Sequence, residues 1–156
     1  MLRLDDEAAT VELSWDQGER RAAIRFYGPR FKYRDPSDPL HASDDIVEYT
    51  VRVEGNGLSA SAVLVSLDTG GFGLPRFIDG LANEFRGWNG TQTWENADHD
   101  LAVDATWSNR GYVSLDWRLT PSLYDRWSVN VVVEVEAGEE MAQLAGGLHR
   151  FFALDG

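Results

Sequence analysis

The chain has 156 residues, no cysteine and a formal net charge of −12, with 26 acidic against 14 basic side chains. This length suits one domain over residues 1–156 that needs no metal or disulfide for its core, and the missing thiols exclude disulfide scaffolds and cysteine-based zinc sites. The acidic balance disfavours nucleic acid, and no stretch resembles a signal peptide or a membrane span, so we expect a soluble cytoplasmic protein.

Apolar and polar residues alternate in the first half of the chain, which predicts strands within residues 10–67. Val11 and Leu13 share one face of the first strand. Residues 28–45 contain three prolines and are predicted to be a long loop. The segment Gly55-Asn56-Gly57 tolerates the positive φ of a tight turn and therefore predicts a hairpin between two of the strands.

The period then changes to that of a helix, predicted over residues 74–87. Its apolar residues recur at spacings of three and four: Leu74, Phe77, Ile78, Leu81 and Phe85. Pro75 suits the first turn, where its missing N–H is not needed. Gly87 is well placed as a left-handed stop.

Strands are predicted again within residues 91–136, followed by a helix over 138–153. Four tryptophans lie on the apolar side of their strands and are expected in the core: Trp15, Trp107, Trp117 and Trp127. The pair Gly146-Gly147 costs helix stability, and we interpret it as a site of close packing against a neighbouring backbone or of a kink.

These elements predict an α+β fold. We expect an antiparallel sheet of about six to eight strands with two helices packed on one face. The order of strands and then one helix occurs twice, so the chain contains a candidate pseudo-repeat. The other face of the sheet would remain open to solvent or a partner.

Catalytic and metal-binding motifs are scarce. The three histidines lie far apart without the spacing of a zinc site, and Asp98-His99-Asp100 is interpreted as a polar loop. The run Gly70–Gly73 lacks the lysine and hydroxyl residue of a phosphate loop and is interpreted as a turn before the helix. We therefore expect no catalytic residue, no metal and no cofactor, and hence a protein that is not an enzyme.

The run Phe77-Ile78-Asp79-Gly80-Leu81-Ala82, continued by Phe85-Arg86-Gly87-Trp88, Gly90 and Trp94, resembles the signature of an uncharacterised family of small bacterial proteins. This likeness spans residue 46 to the end. The order of elements is more distantly similar to toxin immunity proteins of the wall-associated-protein type, which implies binding to a toxin domain. Tyr112 stands where many such relatives have histidine, so the resemblance implies no histidine-based role.

Two functions remain open. The first is a protein-binding domain whose outward carboxylates Glu48, Asp104, Asp116 and Glu134 contact a basic partner such as a toxin domain. The alternative is a small-ligand or carbohydrate-binding domain in which exposed Trp88 and Trp94 stack against a sugar.

Overall fold

A computed structural model describes residues 1–32, 46–66, 73–121 and 126–152, and within these ranges the chain has an α+β fold. The strands form two antiparallel sheets, each in sequence order, one of five strands and one of four. Sheet A contains β1 (Leu2–Asp5), β2 (Thr10–Gln17), β3 (Arg20–Lys32), β4 (Ile46–Gly55) and β5 (Leu58–Ser66). Sheet B contains β6 (Thr91–Glu95), β7 (Leu101–Ser108), β8 (Tyr112–Leu119) and β9 (Val129–Glu136). Helix α1 (Leu74–Asn83) follows sheet A, and helix α2 (Glu139–Phe152) follows sheet B.

The predicted fold class is confirmed, although the strands are divided between two sheets. Strand β9 of sheet B packs against β2, β3 and β4 of sheet A, so the two sheets bury apolar residues against each other. Helix α2 contacts α1 and also β1, β2 and β9. The repeated order of strands and helix is present as two meanders, each followed by one helix.

The centre of the core is aromatic and draws on both sheets and on α2. Phe26 of β3 lies edge-on to Trp117 of β8 at 5.7 Å between ring centroids. Tyr49 of β4 lies edge-on to Phe151 of α2 at 5.9 Å. All four side chains are almost fully buried. Because edge-to-face aromatic pairs add roughly 0.5–1.5 kcal/mol beyond area burial, these contacts join the layers of the fold.

Several predicted bounds differ from the structure. Strand β1 precedes the first predicted strand, and β3 continues to Lys32 through the start of the predicted loop. A β-bulge between Tyr27 and Arg30 accommodates Gly28, whose φ is +62°. Pairing with β4 therefore resumes at Arg30 and continues to Lys32. The rest of the predicted loop, 33–45, lies outside the described residues.

The tryptophans are less uniformly buried than their pattern predicts. Trp117 is fully buried, while Trp15 and Trp107 are partly buried and pack against the core. Trp127 is 36% exposed, so its predicted place in the core is wrong. The reason is that β9 begins only at Val129, and the alternation of the strand does not extend back to this residue.

Helix α1 ends at Asn83, four residues before the predicted end, and the chain then turns to Gly87. The N–H of Gly87 donates to the carbonyl of Glu84 at 2.9 Å, and its φ is +108°. The predicted left-handed stop is therefore present, one turn beyond the helix. No helix in the described ranges is long and apolar enough to cross a membrane.

Candidate functional site

Three of the four predicted carboxylates share one surface of sheet B. Asp104 of β7, Asp116 of β8 and Glu134 of β9 each alternate with buried neighbours and point away from the core. Glu136 extends the same row along β9. We call the outward side of β7–β9 that carries these four residues the acidic face.

Glu48 lies elsewhere. It is on the outward side of β4 in sheet A, opposite Arg30 of β3 and Val65 of β5. The four carboxylates were expected on one sheet, and the division into two sheets places Glu48 on a different surface. Its role in partner binding stays a prediction, separate from that of the acidic face.

Two aspartates face each other at the centre of the acidic face. Asp104 is directly opposite Asp116 in the register of β7 and β8. Thr93 donates its hydroxyl to Asp104 Oδ1 at 2.8 Å, and the amide of Asn130 donates to Asp116 Oδ1 at 3.2 Å. These bonds orient the carboxylates without neutralising them. Like charges directly opposite each other destabilise a sheet.

Apolar side chains accompany the acids on this surface. Tyr112 is 46% exposed and Val132 is 43% exposed. In the register, Val132 lies opposite Asp116, and Tyr112 lies opposite Glu136. Arg118 is the single basic residue within β7–β9. The surface therefore combines negative charge with exposed apolar area, and a partner that bound it could gain from both.

A depression of about 700 Å³ lies at one end of the acidic face. Tyr112, Glu134, Glu136 and Glu140 line it on the side of sheet B, and Trp15 and Arg3 line it on the side of sheet A. Asp16 and Arg110 also line it, so its wall holds four carboxylates, two arginines and the rings of Trp15 and Tyr112. The carboxylates provide hydrogen-bond acceptors, and the rings provide π-faces. Both would suit the guanidinium or ammonium group of a basic side chain.

The two candidate stacking tryptophans are each half-buried. Trp88 and Trp94 both pack against the core, so their rings are not freely exposed surfaces. The indole N–H of Trp88 is buried and has no hydrogen-bond partner among the described residues. Their placement favours a role in closing the core over one in stacking a sugar.

The loop Asp98-His99-Asp100 is organised by the buried side chain of Asn96. The amide oxygen of Asn96 accepts the N–H groups of Asp100 and Leu101 at 2.9 and 3.1 Å, and its amide nitrogen donates to Asp100 Oδ1 at 2.5 Å. This arrangement holds the turn between β6 and β7. It supports the interpretation of a structural loop.

His99 itself faces solvent and contacts Glu95. The hydrogen bond to Glu95, followed by the charge of that carboxylate, raises the pKa of His99 above its ordinary value. In the core, burial and then the nearby charge of Asp100 raise the pKa of Tyr49. His99 lies on the surface and Tyr49 is enclosed in the core, so the two side chains do not form a nucleophile–base pair.

No group of three histidine, aspartate or glutamate side chains within the described ranges is arranged to hold a metal ion. Of the predicted turn at 70–73, only Gly73 is described. It is the residue before α1, and it makes no side-chain cap. The turn at 70–72 lies outside the described residues.

A family model described as a family of unknown function (DUF6228) matches residues 17–155. The chain belongs to this family. The DUF6228 match begins at the last residue of β2, earlier than the start at residue 46 that the sequence motif suggested, and it includes β3 to β9 and both helices. Searches of curated proteins and of solved structures found no match.

Proposed function

We propose that the protein is a non-enzymatic protein-binding domain that uses the acidic face to bind a basic protein. The resemblance to toxin immunity proteins suggests the kind of partner, a toxin domain with a positively charged surface. The proposal rests chiefly on one observation, the direct opposition of Asp104 and Asp116 on an outward surface. The repulsion between the two carboxylates destabilises the free protein, and a cation of the partner that bridges them would relieve this repulsion.

The surroundings of this aspartate pair support the same role. Tyr112 and Val132 supply exposed apolar contact area, and Glu134 and Glu136 surround it with charge. Apolar contacts with a charged rim are the usual composition of protein interfaces. A field of one sign also speeds the approach of an oppositely charged partner, most strongly at low salt.

The test is capture of partners from cells that produce the protein, with a tagged wild type and two triple variants. The first variant is Asp104→Lys/Asp116→Lys/Glu134→Lys, which reverses the acidic face. The second, Glu7→Lys/Glu19→Lys/Asp98→Lys, makes the same change in net charge at exposed positions outside the acidic face. We expect a basic protein to bind the wild type and the second variant and to be lost from the first.

Circular dichroism and thermal unfolding of all three proteins serve as the folding control. If the face-reversed variant is folded and still captures the same protein as the wild type, the acidic face is not the binding surface. If both triple variants lose the partner equally, the interaction depends on net charge alone, and the proposal is equally contradicted.

A further inference from the structure

The outer edge of sheet A carries an unusual strand. Strand β5, Leu-Ser-Ala-Ser-Ala-Val-Leu-Val-Ser, pairs with β4 along its whole length and has no second strand beside it among the described residues. An edge strand presents a row of unpaired backbone N–H and C=O groups, and proteins usually protect such edges with charge, proline or short length.

The other three edge strands have this protection. Strand β1 is four residues long and carries Arg3 and Asp5, β6 is five residues long and carries Glu95, and β9 carries Glu134 and Glu136. Strand β5 has nine residues without a charge, a proline or a glycine. It lies within Gly55–Leu67, the longest run of the chain without a charged side chain.

The side chains of β5 favour a flat apolar contact. Val63 is 61% exposed on the outward side of the strand, which it shares with Ser59, Ser61 and Val65. The opposite side presents Ala60 and Ala62, which pack against the core and leave little bulk at the edge. Around Ser61 to Val63 a second strand could therefore approach without displacing a large or charged group, whereas at Ser59 the guanidinium of Arg52 donates to the serine hydroxyl at 3.2 Å.

We propose that β5 pairs in antiparallel orientation with β5 of a second copy of this chain, so that the two five-stranded sheets become one continuous sheet across a two-fold axis. A second copy fits this edge because an antiparallel pair of identical strands is self-complementary about a two-fold axis. Two molecules of net charge −12 repel each other, so self-association requires a contact strand without carboxylates, and β5 meets this requirement. A two-fold axis also keeps the serine and valine side on one face and the alanine and leucine side on the other.

The first experiment measures molecular mass by sedimentation over a range of concentrations. The wild type is expected to dimerise, and Val63→Lys is expected to remain monomeric because it brings two added charges together at the edge. Val132→Lys is the matched control, since it makes the same substitution at an exposed site on sheet B. It should dimerise like the wild type.

A second experiment locates the axis. The chain has no cysteine, so single substitutions Ser61→Cys, Ala62→Cys and Val63→Cys each introduce the only thiol. In an antiparallel pair related by a two-fold axis, one residue faces its own copy, and a disulfide forms fastest at that position. Cross-linking concentrated at one of these sites supports the pairing. Equal cross-linking at Val132→Cys would contradict it.

The outcomes separate this proposal from the proposed function. Val63→Lys should still capture the basic partner, because β5 is not part of the acidic face. A wild type that stays monomeric up to its solubility limit overturns the self-pairing. The same conclusion follows if Val63→Lys leaves the mass unchanged but abolishes capture of the partner, since β5 would then bind a strand of another protein.

Discussion

At the scale of single residues, Gly87 shows how much a sequence pattern can convey. Its place after an amphipathic run predicts a left-handed stop, and the structure confirms the positive φ. The sequence does not indicate the second constraint. A Cβ atom on Gly87 would lie 2.7 Å from Cδ2 of Trp107, which belongs to β7 of sheet B. That contact joins residues twenty apart, and no local pattern contains it.

Replacement of this glycine should separate the two constraints. Gly87→Ala adds the cost of a left-handed alanine, about 1–2 kcal/mol, and a collision with the indole ring of Trp107. Gly90→Ala is the matched control, since its φ is +80° and nothing lies within 4 Å of the added atom. We expect urea unfolding to show a clearly larger loss of stability for Gly87→Ala. Equal losses would mean that the ring moves away freely.

The sequence likewise predicts some features of the candidate site and not others. Alternation within β7, β8 and β9 correctly predicts that Asp104, Asp116 and Glu134 point outward. The direct opposition of the two aspartates depends on the register between strands, which turn lengths and tertiary packing determine. The sequence identifies Tyr112 only as the residue in place of a histidine, and its exposure beside the acids follows from the fold.

At the scale of elements, the packing of α2 against β1 accounts for one of its two adjacent glycines. A Cβ on Gly147 would overlap the side chain of Leu4 in β1, whereas a Cβ on Gly146 would meet only the guanidinium of Arg150 at 3.4 Å. A close approach is therefore present at Gly147, but it is to a side chain and not to the neighbouring backbone that the glycine pair predicts. Its neighbour in the fold is a side chain of the first strand, which the sequence pattern had missed.

Alanine substitutions test this docking of α2 on β1. Gly146→Ala should stabilise the protein by up to about 1 kcal/mol through helix propensity. Gly147→Ala should stabilise less or destabilise, because Leu4 must move. In a Leu4→Ala background the two substitutions should become equivalent, as measured by denaturant unfolding. If Gly147→Ala is as favourable as Gly146→Ala in the wild-type background, the helix does not depend on this contact.

At the scale of the whole molecule, the strand and helix types were predictable and the layering was not. Periods of two and of 3.6 residues identify strands and helices locally. Whether the nine strands of the described ranges form one sheet or two depends on which edges pair, and the sequence contains no local signal for that. The division into sheets decides that Glu48 and the acidic face lie on separate surfaces, so it changes the candidate site as well as the fold.

The two sheets also divide the charge of the molecule. The outward side of sheet A carries Arg25 and Arg52 opposite each other, with Arg25 paired to Glu12 and Arg52 paired to Glu54. The outward side of β7–β9 in sheet B has Arg118 against four carboxylates. Such asymmetry orients an approaching basic partner toward sheet B over distances comparable to the Debye length, roughly 8 Å at physiological ionic strength.

The most direct test of the acidic face is the association rate of the captured basic protein at several salt concentrations. Asp104→Asn/Asp116→Asn removes both charges while retaining the oxygen atoms that accept bonds from Thr93 and Asn130. Glu7→Gln/Glu19→Gln removes two charges at exposed positions elsewhere. We predict slower association and a shallower salt dependence for the aspartate variant alone. Rates and salt dependence that match the wild type would contradict the role of the acidic face.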